Sequence, residues 1–88
     1  MNMTRHANER AVQRAIPMEV VSAIYSYGTP SHSRGALAIC LDRRALELAQ
    51  DDLPTGAYRK MRRFSGTYIV ADGANVITVA RSNRRQRR

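Results

Sequence analysis

The chain is 88 residues long, room for one small domain with a modest core, a size at which a partner or a second copy commonly adds stability. Its 15 Lys or Arg stand against 7 Asp or Glu, a formal net charge of +8; every cation but Lys60 is arginine, which favours an anionic partner and two-point contacts with phosphate. The composition excludes a disulfide framework, because Cys40 has no partner, and no apolar run approaches the roughly 20 residues of a membrane span, so a soluble, cytoplasmic protein is expected.

From Thr4 to Ala15 the spacing predicts a first helix on which Ala7, Ala11 and Ala15 lie together, small enough for it to approach a sheet closely. Pro17 opens a second helix through Val20, Val21, Ile24 and Tyr27, with Gly28 as a left-handed cap. Thr29 to Gly35 collects Pro, Ser, His and Gly and reads as a loop. Ala36 to Leu41 is wholly apolar and fits a buried strand or the first half of a helix continuing to Gln50. The strand is preferred, with Cys40 packed in the core and Asp42 capping a helix over 43–50.

Pro54 opens a further helix in which Ala57, Met61 and Phe64 face the core and Gly66 ends it. Thr67 to Ala71 and Val76 to Ala80, rich in β-branched residues, flank a turn at 72–75 and predict a hairpin. Residues 81–88 hold no apolar residue and read as a basic arm or as the ragged end of the last strand. The order predicts a single α+β domain over 1–80, its N-terminal helices packed on a small, mainly antiparallel twisted sheet, followed by a basic C-terminal tail over 81–88.

His6, Arg10 and Arg14 are four residues apart, which on a helix spreads them across about 80° of one face. Like charges at that spacing disfavour an isolated helix by a few tenths of a kcal/mol each, an arrangement that makes sense beneath an anion. Cleavage of RNA without a metal needs a base for the 2′-hydroxyl, cations for the crowded phosphorus and an acid for the leaving oxygen, and these three residues are of those types. The bland alternative is a solvated basic face.

Thr78 is the polar residue inside the apolar final strand; its hydroxyl either meets a ligand or reflects threonine's strand preference. Arg81 falls on the opposite face from Thr78 unless the strand ends or bulges there. His32, in the loop before Arg34, is either a second acid or base or plain surface. Arg59, Lys60, Arg62 and Arg63 form a candidate patch for a nucleic-acid backbone, with Tyr58 near enough to stack on a base and Arg84 and Arg85 as further cations; a solvated helix face is the alternative. The acids are scattered without metal-ligand spacing, and there is no glycine-rich phosphate loop or nucleophile elbow, so neither metal nor cofactor is expected.

The opening His6-Ala7-x-x-Arg10-x-x-x-Arg14-x-Ile16, the hydrophobic helix ending at Gly28 and the closing Val76-Ile77-Thr78-Val79 resemble a family of small bacterial proteins of unassigned function grouped with RelE/ParE-like and BrnT-like toxins. The resemblance implies a RelE-like fold and metal-independent RNA cleavage. It implies His6 as proton shuttle, Arg10 and Arg14 as phosphate clamps, Thr78 as a hydroxyl donor to phosphate and Arg81 as a further catalytic residue. Ala15 stands where many relatives have glycine, a departure expected to alter only the turn between the first two helices.

The leading expectation is therefore a toxin-like endoribonuclease acting on RNA and restrained by an acidic, antitoxin-like protein. Its rivals are a non-catalytic module for nucleic acid or protein, and a phage or mobile-element protein that occupies the nucleic-acid surface of a host complex. Dimerisation is compatible with all three.

Overall fold

The structure, a computed structural model, describes residues 1–82. In chain order the elements are strand β1 (Asn2–Met3), helices α1 (Arg5–Gln13) and α2 (Met18–Tyr27), strands β2 (Thr29–Ser33) and β3 (Ala36–Cys40), helices α3 (Arg43–Asp52) and α4 (Thr55–Arg62), and strands β4 (Thr67–Asp72) and β5 (Asn75–Arg81). The strands form one five-stranded sheet in the order β1, β5, β4, β3, β2, antiparallel except where β1 runs parallel to β5. The fold is thus α+β with a mixed sheet, and β5 extends one residue beyond the expected domain boundary. No helix among the described residues is long and apolar enough to cross a membrane.

Both ends of α1 have a local cause. The Thr4 hydroxyl accepts from the Ala7 N–H at 3.1 Å and starts α1. The helix stops at Ala15, which adopts φ 54° while the Ile16 N–H donates to the Ala11 carbonyl at 2.9 Å and the Ala15 N–H to Val12 at 3.1 Å. This is the Schellman pattern, closed by burial of both Ala11 and Ile16, and its left-handed position normally holds glycine. Because exposed Ala15 contributes no burial, Ala15→Gly is expected to stabilise the fold by about 0.5–1 kcal/mol, read as a raised urea midpoint at unchanged m-value.

Gly28 is not a left-handed cap, since its φ is −63°. Glycine is required there by proximity: a Cβ would lie 2.6 Å from the Ile24 carbonyl oxygen and run into Ile39 Cγ2. The segment expected to be a loop after it is strand β2, whose Ser33 pairs with Ala36 across a two-residue turn. Arg34 (φ 50°) and Gly35 (φ 81°) give that turn the two positive φ angles suited to the twist of a hairpin. Pro30 is tolerated because β2 is an edge strand. Asp42 caps α3 as expected: its Oδ1 accepts from the Ala45 N–H at 3.0 Å and from the Thr29 hydroxyl at 2.7 Å, tying the start of β2 to the start of α3. The Tyr27 hydroxyl donates to Asp52 Oδ2, joining the last turns of α2 and α3. That hydrogen bond, together with burial and the carboxylate charge, pushes the Tyr27 phenol above its ordinary range.

Register divides the sheet into two unlike faces. Ile39, Ile69 and Val79 stand in one row across β3, β4 and β5, are at most 5% exposed, and face the helices with Val20, Val21, Ile24 and Met61. Alternation sends the next rows, Ala38-Val70-Thr78 and Cys40-Tyr68-Ala80, to the opposite side, where they are half-buried. Cys40 therefore lies on the helix-free face and not in the core; partial burial and the Asp42 carboxylate push its thiol up, away from nucleophilic use. Ala57 is likewise exposed, and the core side of α4 is formed by Met61 with half-buried Tyr58, joined by half-buried Phe64 just past the helix end. The hairpin of β4 and β5 turns through Gly73 and Ala74 alone, with Asp72 opposite Asn75.

Candidate nucleic-acid interface

With Met61 anchored in the core, the helical period turns Arg59, Arg62 and Arg63 to solvent. Cations near the end of α4 complement the helix dipole, which accounts for their presence without any ligand. The dipole does not account for their grouping: the three arginines line one surface depression to which no acid among the described residues contributes. Among those residues none of the three is in an ion pair, whereas Lys60 Nζ reaches Glu19 Oε2 of α2 at 3.1 Å. Lys60 is thus drawn away from the patch in which the sequence placed it.

A second depression adjoins the first and shares Arg59 and Arg62 with it, its remaining wall formed, among the described residues, by Gln50, Leu53, Thr55 and Tyr58. Leu53 is held as the end of α3 by its N–H, which donates to the Ala49 carbonyl at 2.8 Å, and both Leu53 and Tyr58 pack against the core. Gln50, Leu53 and Thr55 were not legible as site residues, because no spacing links them. They meet only because Pro54 folds the start of α4 back against the end of α3. Tyr58 was legible from its place beside the arginines.

The residues expected to be catalytic are not gathered at one point. Exposed His6 and half-buried Arg10 of α1 line a hollow that, among the described residues, is completed by Glu9 and Gln13 of the same helix. Arg14 is exposed at the C-cap of the same helix. The Glu9 carboxylate is shared with Arg5, at 3.5 Å. Thr78 lies on the helix-free side of the sheet. Arg81 pairs with Thr67, which puts it on the helix side, and its guanidinium stands 5.7 Å from the centre of the Phe64 ring. The register shift between β4 and β5 falls before Thr78, at Ile77, so alternation from Thr78 to Arg81 is intact and the two residues face opposite ways. His32 belongs to strand β2 and is exposed there, and Arg84 and Arg85 lie outside the described residues.

Fold and surface together define an α+β protein whose helical side concentrates arginine, while the rows Ala38-Val70-Thr78 and Cys40-Tyr68-Ala80 on the other side of its sheet carry no charge. No family model matches the chain, and neither a curated protein nor a solved structure matches it.

Proposed function

We propose that the protein binds RNA through α4, with Arg59, Arg62 and Arg63 on backbone phosphates. The observation that carries this reading is that Arg59, Arg62 and Arg63 line one depression, with no ion pair to them and no acid in its lining among the described residues. Arginine can hold phosphate oxygens in pairs, and a net charge of +8 steers any polyanion toward the surface. The test is fluorescence anisotropy with a labelled single-stranded RNA over a salt series. Replacing all three arginines by alanine is expected to reduce the steepness of log K against log[salt] by about 2, at roughly 0.7 for each phosphate no longer neutralised. An unchanged slope refutes the reading. Because these side chains are exposed, the thermal midpoint serves as the control for folding.

A second reading is favoured by the sharing of one hollow by His6 and Arg10: a RelE-like, metal-independent endoribonuclease of the cytoplasm, restrained by an acidic antitoxin-like partner. On this reading α4 holds the substrate, His6 moves the proton of the 2′-hydroxyl, and Arg10 and Arg14 bear the charge that develops at phosphorus. Thr78 and Arg81, on opposite faces of the sheet, do not act together in it.

A further inference from the structure

The two adjoining depressions differ in chemistry. One is lined, among the described residues, by arginine alone. The other adds a phenol ring and a leucine, both braced by the core, and the neutral polar side chains Gln50 and Thr55. A bare phosphate needs only the first. An RNA duplex presents its backbone and keeps its base faces stacked, so it too uses only the first. A ligand that fills both has a flat apolar face and edge groups for hydrogen bonding within one backbone step of a phosphate. We infer that the cleft between the end of α3 and α4 is a pocket for one unstacked nucleotide of single-stranded RNA. Its base lies against Tyr58 and Leu53, its edge faces Gln50 and Thr55, and its phosphates rest on Arg59, Arg62 and Arg63. The inference rests on the RNA-binding reading and adds strandedness and base contact to it.

The experiment compares one ten-nucleotide RNA, single-stranded and annealed to its complement, for binding to the full chain and to Tyr58→Ala, Tyr58→Phe, Tyr58→Leu and Gln50→Ala. The single strand is expected to bind more tightly than the duplex at equal salt. Loss of the ring in Tyr58→Ala is expected to weaken the single strand by about 5- to 150-fold, the range of a base stacked on an aromatic side chain, while duplex affinity and salt slope stay as they were. Tyr58→Phe should retain the single-strand affinity. Tyr58→Leu, which keeps an apolar side chain against the core but has no π-face, should behave like the alanine variant, separating stacking from folding. Gln50→Ala should narrow the differences among homopolymeric strands of A, C, G and U. Equal affinity for strand and duplex, both dependent on the arginines, overturns the inference and leaves RNA binding intact. Equal losses on strand and duplex in Tyr58→Leu also overturn it. Failure of the unaltered protein to bind either form overturns both readings.

Discussion

Replacing Met61 by alanine is expected to cost about 2–5 kcal/mol, the usual range for removing a fully buried methionine side chain and leaving a cavity. At roughly 0.05–0.15 kcal/mol per residue a chain of this length has only about 4–13 kcal/mol in all, so this one change can consume much of its stability. Met61 is 1% exposed and is the fully buried side chain of α4, a helix of eight residues with no side-chain cap at its start. So short a helix has little stability of its own and is held by packing. The arginine face is therefore positioned by a residue that does not itself belong to that face. Urea unfolding should show the loss as a lower midpoint, and on the RNA-binding reading affinity for RNA should fall as α4 loosens. Leu48→Ala is the matched control: that side chain is 52% exposed, and its loss should cost no more than about 0.5 kcal/mol. A Met61→Ala midpoint within the control's range would show that α4 is not held through the core.

The second large effect concerns catalysis. In excess chelator, on mixed RNA, the endoribonuclease reading expects fragments ending in 2′,3′-cyclic phosphate, because attack by the 2′-hydroxyl leaves that ring when no water has yet opened it. Removing a positioned proton-transfer group costs about 10²–10⁴ in rate, so His6→Ala should fall by that factor while its stability is unchanged, the side chain being exposed. Arg10→Ala should lower the rate further than it lowers RNA affinity, since a cation that stabilises charge developing at phosphorus acts in the transition state more than in the bound complex. Cleavage undiminished in His6→Ala removes the second reading. Binding without cleavage, with the arginine-dependent salt slope retained, leaves the RNA-binding module as the function of the chain.

Features that depend on neighbours along the chain were readable before any fold was known. Asp42 announces a helix start because a side-chain oxygen three residues from an open N–H is a local geometry. The β-branched runs on either side of the turn at 72–75 announce the hairpin for the same reason, and the arginines of α4 were legible as a face because a helix repeats every 3.6 residues. Features that depend on pairing at a distance had to await the folded chain. Thr29 to Ser33 has no apolar alternation and becomes a strand only because β3 offers it a ladder of hydrogen bonds, while Asn2 and Met3 are drawn into the sheet by β5, more than seventy residues away in sequence. Register, and not composition, sent Thr78 and Cys40 to the face opposite the core row and Arg81 onto Phe64. Packing of α3 against α4 likewise created the cleft of Gln50, Leu53, Thr55 and Tyr58. A cleft between elements is set by how their buried faces dock, and that free energy is shared among many contacts that no short stretch of sequence contains.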